Sequence, residues 1–363
     1  MIILLLASGH DVHSIRWANQ LSENGNEVHL CYMPHKKSPA EHFNNDVILH
    51  ELKIPAAYGG YYFNVFQLRR IIKSVNPDIL NAHYASGYGT LGRLADFSPY
   101  LLSVYGSDVY DFPYRREMNM KIIRKNLKAP DALASTSHTM AVQTSNLINC
   151  SISNIHITPF GVDIKKFYKK NIKNAENTIV IGSIKKLLPI YGIRYGILAI
   201  DHLINNFIPQ NLNVKYLIYG EGEEKAELKK LVAQCKLENI VEFKGKIPNE
   251  SVPDALNEFD VFLGTSDSES FGVAIVEAMA CEVPVVVTDA DGFKEVVDNG
   301  NFGAMVPRRD YKCMAEEINK LIIEPVKSRE IGSIQRKRVI EKYNWIENVN
   351  KMERIYKSLV ENF

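Results

Sequence analysis

The chain has 363 residues, more than one hydrophobic core usually covers, so two domains of ordinary size are expected. Lysine plus arginine (43) nearly balances aspartate plus glutamate (42), which removes any global electrostatic reason to expect nucleic-acid binding. The five cysteines, Cys31, Cys150, Cys235, Cys281 and Cys313, are far apart and form no C-x-x-C, so neither a disulfide framework nor a zinc site is indicated and a reducing cytoplasm is the expected compartment.

The opening "MIILLLASGHD" lacks a basic n-region and its apolar run ends after about seven residues, so it reads as a buried first strand and not as a signal sequence. "HSIRWANQLSENG" then has a helical pattern, and "EVHLCYM", "DILNAHY", "YLLSVYG" and "DALASTS" follow as short apolar runs bounded by turn residues. The second half repeats the scheme with "TIVIGSI", "VKYLIYG", "IVEFKG", "VFLGTS" and "VPVVVTD". Alternation of this kind predicts the α/β class: two Rossmann-like, doubly wound domains whose parallel strands are covered by helices on both faces. Pro159, Gly161 and a lysine- and asparagine-rich stretch place the linker at about 164–177, giving a first domain over 1–165 and a second over 177–345. Trp345, Ile346, Val349, Met352, Ile355, Tyr356 and Leu359 stand at helical spacing, so 346–363 is predicted as a helix packing back on the first domain. No run approaches the roughly 18–20 apolar residues needed to cross a bilayer.

Ligands of open parallel sheets sit beyond the carboxyl ends of the strands, which makes the cleft between two such domains the expected site. His13 and Arg16 follow the first strand and are candidate acceptor contacts, as is His138 near another strand end. Only Gly9 stands where a dinucleotide fingerprint needs G-x-G-x-x-G, so nicotinamide chemistry is disfavoured.

The stretch "SDSESFGVAIVEAMACEVPVV" sets Glu277 in an apolar run eight positions after Glu269. An uncompensated carboxylate there costs several kcal/mol, roughly, so a cationic side chain or a ligand must meet it. The segment reads as a strand, a glycine-bearing loop and a helix beginning near Ser270. The N–H groups of Ser270, Phe271 and Gly272, with the positive end of the helix dipole, offer a phosphate site. Glu277, about 8–9 Å into the helix, leans back toward the same place and suits two ribose hydroxyls.

The string "ESFGVAIVEAMACEVPVVVTDADGFKEVV" resembles the E-x7-E signature of retaining nucleotide-sugar glycosyltransferases of the GT-B class, the family-4 group in particular. "ITPFGVDIKKF", "YLIYGEGEEKAEL" and "VEFKGKIPNESVPDALNEFDVFLGTS" resemble other motifs of that family, in order and at its spacing. The resemblance implies that Glu277 holds the donor ribose, that Glu269 lies near the donor sugar, and that Ser270 to Gly272 approach the diphosphate or sugar. It implies a phosphate-neutralising role for Lys185, with Lys186 as a rival. The second lysine of the family is missing, since Ile190, Tyr191 and Gly192 occupy its place, and Lys186 or Arg194 is the available substitute. Gly9 resembles the loop glycine that faces the donor diphosphate, and His83 the histidine near the reacting sugar. "SVYGSDVYDFP" resembles the family's His-Gly-Thr-Asp run, with Tyr105 in place of histidine and Asp108 retained as an acceptor-side residue. Glu282 stands where the family has a helix-ending glycine, so a different cap is expected.

The implied reaction moves a sugar from a nucleotide donor, UDP being the expected carrier, to a saccharide or lipid-linked saccharide hydroxyl with retention, as in bacterial polysaccharide or lipopolysaccharide synthesis. The hexosyl or N-acetylhexosaminyl group is the expected cargo. Clustered cations are expected to neutralise the phosphates, so no obligatory metal or other cofactor is expected. Residues 114–128, "YRREMNMKIIRKNLK", are basic and partly amphipathic, which predicts either peripheral contact with anionic lipid on the inner face of the cytoplasmic membrane or an ordinary solvated face. Alternatives are a sugar-nucleotide 2-epimerase of the same architecture, a non-catalytic sugar-nucleotide binder and, more distantly, an oxidoreductase.

Overall fold

The computed structural model describes residues 1–35, 38–170, 177–209 and 211–363; the linker expected at about 164–177 lies in part outside them. The chain divides into two compact units, Met1–Phe160 with Ile346–Phe363, and Gly161–Trp345.

In the first unit, seven strands, β1 (Ile2–Leu6), β2 (Glu27–Tyr32), β3 (Val47–Glu51), β4 (Ile79–His83), β5 (Tyr100–Val104), β6 (Ala132–Ser135) and β7 (Ile155–Ile157), form one parallel sheet in the order β3-β2-β1-β4-β5-β6-β7. The helices are α1 (Val12–Glu23), α2 (Gly60–Phe63), α3 (Val65–Val75), α4 (Gly87–Ala95), α5 (Ser107–Tyr110), α6 (Glu117–Leu127) and α7 (His138–Ile148). Central strands read as unbroken apolar runs because both faces are covered; Leu4, Leu6, Leu80 and Leu102 are completely buried in one core.

The second unit has six parallel strands, β8 (Thr178–Ile184), β9 (Asn213–Tyr219), β10 (Val241–Gly245), β11 (Val261–Gly264), β12 (Val285–Thr288) and β13 (Ala304–Val306), in the order β10-β9-β8-β11-β12-β13. Around them lie α8 (Ile193–Asn206), α9 (Lys225–Gln234), α10 (Val252–Asn257), α11 (Val273–Ala280), α12 (Asp291–Val296), α13 (Tyr311–Ile323) and α14 (Pro325–Lys342). The last helix, α15 (Trp345–Glu361), leaves this unit after Trp345 and belongs to the first for the rest of its length. There Tyr356 is fully enclosed, its hydroxyl accepting from the Asn81 amide of β4 at 2.6 Å, and Glu353 accepts from Asn24 and Asn26.

Each sheet reverses its winding once, between β1 and β4 in the first unit and between β8 and β11 in the second. The helices flanking such a switch point diverge to opposite faces, so a crevice opens beyond the carboxyl ends of those strands. No helix among the described residues is long and apolar enough to cross a membrane, and all five cysteines are free thiols.

Candidate active site

At the switch point of the second unit, Lys185 directly follows β8 and β11 runs into the loop carrying Glu269. Two residues that lie 84 positions apart meet here: the Lys185 ammonium pairs with the Glu269 carboxylate. The pair is mostly shielded, with the lysine side chain 26% and the glutamate 11% exposed. Lys185 also stands 4.4 Å from the centre of the Tyr191 ring, a cation–π contact. The Thr265 hydroxyl donates to the Tyr191 backbone carbonyl at 2.8 Å and holds the main chain there. Tyr191 thus lines the site at the place where the resemblance noted a missing lysine. Lys186 and Arg194 are exposed. Lys185, Tyr191, Thr265, Gly272, Ala274 and Phe293 border a small open pocket.

Helix α11 begins three residues later than the sequence indicated. Gly272, in the left-handed region at φ +101°, is its N-cap, so the first open-turn N–H groups shift toward Val273 and Ala274. A Cβ on Gly272 would lie 2.8 Å from the Phe293 ring, so the residue is held to glycine by both conformation and space. Phe271 is buried, its ring edge-on to Tyr343, and therefore anchors the loop. Ser270 and Glu277 are half-buried, and both are engaged within the protein. The apolar surroundings expected for Glu277 are thus only partial.

The end of α11 carries the non-glycine cap. Glu282 adopts φ +59°, and the Arg336 guanidinium donates to the carbonyls of Ala280, Phe167 and Ile164. An L-residue pays for the left-handed region by roughly 1 kcal/mol, whereas the Lys169–Glu282 ion pair, 3.4 Å and largely solvated on the lysine side, contributes little. Glu282→Gly is expected to raise the urea midpoint, by about 0.5–1 kcal/mol of stability at unchanged m-value.

The switch point of the first unit gathers a second group. His83, the last residue of β4, is 1% exposed; its Nδ1 lies 3.0 Å from the Tyr105 hydroxyl and 3.4 Å from Ser14 Oγ. Burial holds the Tyr105 phenol well above its ordinary range and therefore protonated. Ser14 Oγ donates to Asp11 Oδ2 at 3.0 Å, so the Tyr105 hydroxyl is the one partner of Nδ1 with a proton to give. His13, in the first turn of α1, stacks on Phe160 with ring centroids 3.7 Å apart. Burial pushes His13 down to about 4 and His83 down to about 3, each histidine being enclosed where the charged form is poorly solvated. Both rings are neutral near pH 7.

A sign follows for stability. The unfolded chain takes up protons as pH falls through the ordinary 6.5, while these folded histidines stay neutral until about 4 and about 3. Stability is therefore expected to fall on acidification below about 6.5. In melting curves against pH, His83→Gln should show a shallower acid slope than the wild type; an identical slope would refute the assignment.

The remaining candidates are distributed unevenly. Asp108 is 1% exposed and accepts from the N–H groups of Ala85 (2.7 Å), Gly106 (2.8 Å) and Tyr105 (3.2 Å). Burial raises its carboxyl while those bonds oppose the shift. It clamps the loops after β4 and β5 and is too enclosed to meet an acceptor in this arrangement. Gly9 is buried against Pro39, whose Cγ would lie 2.8 Å from an added Cβ. Arg16 is half-buried on α1, and its charge helps to depress His13. His138 is exposed at the start of α7, after β6, two strands away from β4. Tyr191, Ser14 and Phe160 had no signal of their own in the sequence, because a single tyrosine, serine or phenylalanine beside a strand end is unremarkable. Among the described residues no group of three or more metal-ligating side chains comes together.

Residues 164–338 match the family described as "Glycosyl transferases group 1", and residues 2–137 match "Glycosyl transferase 4-like". Both halves of the chain match glycosyltransferase families. The chain is 24% identical to the N-acetyl-alpha-D-glucosaminyl L-malate synthase of Bacillus anthracis over 366 aligned residues, covering 96% of this chain and 93% of that protein. It is 31% identical over 200 residues to the capsular polysaccharide biosynthesis glycosyltransferase CapM of Staphylococcus aureus, covering 53% of this chain and 50% of CapM. Among solved structures, Anabaena Alr3699/HepE in complex with UDP superposes with a TM-score of 0.82 at 18% identity, covering 99% of this chain and 100% of that one. The two parallel-sheet units are thus those of the GT-B fold.

Proposed function

We propose that this protein transfers a sugar from a nucleoside-diphosphate donor, UDP-linked, to a saccharide hydroxyl with retention of anomeric configuration, in the synthesis of a cell-surface polysaccharide. The observation that carries this reading is the pairing of Lys185 with Glu269 at the switch point of the second unit, beside the N-terminus of α11. A departing diphosphate gathers negative charge, and a fixed ammonium with helix N–H dipoles is what stabilises it. The Lys185 ammonium has three donors, so it turns toward phosphate oxygens while keeping Glu269 within reach. Glu269 then faces the donor sugar, and Glu277, one or two turns into α11, accepts from the ribose hydroxyls.

On the first unit, His83 is as enclosed as Asp108, so it ties α1 to the loop after β5 through Ser14 and Tyr105 and does not itself meet a sugar hydroxyl. In the front-face route the bond between the anomeric carbon and the β-phosphate oxygen breaks, the acceptor oxygen bonds to that carbon, and its proton passes to the leaving phosphate. Lys185 and the α11 dipole neutralise the diphosphate, so this route calls on no metal. The relative named for capsular polysaccharide and the fold neighbour holding UDP support the substrate classes proposed.

The test is product analysis. The protein is incubated with a panel of nucleotide sugars, with and without saccharide acceptors, and the released nucleotide and the new linkage are read by NMR. Acceptor-dependent release with a retained anomer is the expected result. A donor changed at C2 without acceptor would make the protein an epimerase, and binding without turnover on any acceptor would make it a binder.

A further inference from the structure

From Lys53 to Lys73 the chain carries four cations, Lys53, Arg69, Arg70 and Lys73, and no carboxylate. Within this segment Tyr58, Phe63 and Phe66 are 76, 65 and 72% exposed, and Tyr62 is 47% exposed. Single exposed aromatics are ordinary, but four within nine residues form a patch that calls for a partner.

The patch is held rigidly from behind. Asn64, 1% exposed, accepts from the Ile54 N–H at 3.1 Å and donates to the Ile54 carbonyl at 2.7 Å. Gln67 ties α3 to the end of β3 through the Lys53 N–H and the Glu51 carbonyl. Tyr61 turns inward, edge-on to Tyr88, and Leu68 is fully buried. Arg69 donates to the carbonyls of Ala95 and Leu94, so it docks the helix. That leaves Tyr62, Phe63, Phe66, Arg70 and Lys73 in one outward row at helical spacing, with Lys53 and Tyr58 beside its start.

We propose that residues 53–73 form a docking surface for an anionic phospholipid bilayer, with Tyr58, Tyr62, Phe63 and Phe66 at headgroup level and Lys53, Arg70 and Lys73 facing lipid phosphates. Aromatic rings mixed with cations suit the interfacial zone, where the rings stay half-wet and the cations meet anionic headgroups. A saccharide platform would surround its rings with carboxylates to bond sugar hydroxyls, and this segment has none. Helix α6, the basic stretch singled out from sequence, is less suited, because Ile123 and Leu127 are spent on the core and only Tyr114 and Met118 remain as exposed apolar groups. The surface does not depend on the sugar-transfer reading, and vesicle binding is measured without any sugar present.

The test uses the full chain in sedimentation with phosphatidylcholine vesicles and with mixed phosphatidylcholine–phosphatidylglycerol vesicles. Binding is expected to the mixed vesicles alone and to weaken with salt. Arg70→Glu with Lys73→Glu is expected to lower the partition coefficient at least about thirtyfold, each basic residue near an anionic surface being worth about fivefold. Phe63→Ser with Phe66→Ser is expected to lower it at least about tenfold while the remaining binding stays salt-sensitive. Lys121→Glu with Lys125→Glu on α6 removes the same charge elsewhere and should cost clearly less. All these side chains are exposed, so an unchanged melting temperature verifies that each variant is folded. No binding to mixed vesicles at low salt overturns the proposal, as do equal losses from the α3 and α6 charge pairs or wild-type binding by the phenylalanine variant. A dimer that Phe63→Ser with Phe66→Ser dissolves, with no lipid binding, would reassign the patch to a second copy of the chain.

Discussion

Lys185→Ala is expected to lower kcat by about two to three orders of magnitude with a smaller change in KM, since it removes a charge that matters most as the diphosphate departs. The same substitution strands Glu269, 11% exposed, without its ammonium. An unpaired, largely shielded carboxylate costs about 1–3 kcal/mol, so the melting temperature should fall as well. The two effects separate in a double variant: Lys185→Ala with Glu269→Ala should recover much of the stability and none of the rate. Lys185→Arg should regain part of the rate by keeping the charge in a different geometry. Turnover by Lys185→Ala within about fivefold of wild type would remove the phosphate role, given that a single such donor is worth at least about a hundredfold elsewhere.

Glu277→Ala is expected to abolish most of the thermal stabilisation that a matching nucleotide sugar confers. A ligand at 100 times its dissociation constant adds about 2.7 kcal/mol to the wild type. Each hydrogen bond to a charged group contributes about 1.5–3 kcal/mol, so losing two weakens binding by a hundredfold or more, roughly, and the shift nearly disappears at the same concentration. The side chain is half-buried, so its truncation should leave the apo protein folded. A nucleoside diphosphate without its sugar should lose affinity to the same degree, because the contact is to ribose. An undiminished shift in the variant would place the ribose elsewhere.

Much of the arrangement was legible in the residues. The strands from β1 to β12 with unbroken apolar runs were visible, because burial on both faces leaves no polar alternation to confuse them. The short strands β3, β7 and β13 were not. They are edge strands of three to five residues, too brief to separate from their flanking loops by pattern. The strand, loop and helix that carry Glu269 and Glu277 were legible through their pattern. The start of α11 was misplaced by three residues because "DSESFG" is mostly polar and glycine-bearing, and only the positive φ of Gly272 marks the cap. Asp108 illustrates the reverse case. A polar residue after a strand end invites a ligand role, yet its carboxylate is consumed by three backbone N–H groups. His83 could be placed at a strand end, but nothing local announced that the Tyr105 hydroxyl would reach its Nδ1.

Local pattern sufficed for the class of fold and for the strand-to-helix loops, because apolar periodicity and motif spacing are properties of neighbours along the chain. The winding of the sheets settled which of those loops share a crevice. Strand order sets β8 beside β11 and β1 beside β4, bringing Lys185 to Glu269 and His83 to Ser14 across 84 and 69 residues. The same long-range packing turned the apolar side of α6 inward and left Tyr62, Phe63 and Phe66 of α2 and α3 exposed beside their buried face, a difference two similar basic stretches cannot express by composition. Contacts between residues distant in sequence come from how sheets and helices fill space, and side-chain periodicity by itself carries no record of that.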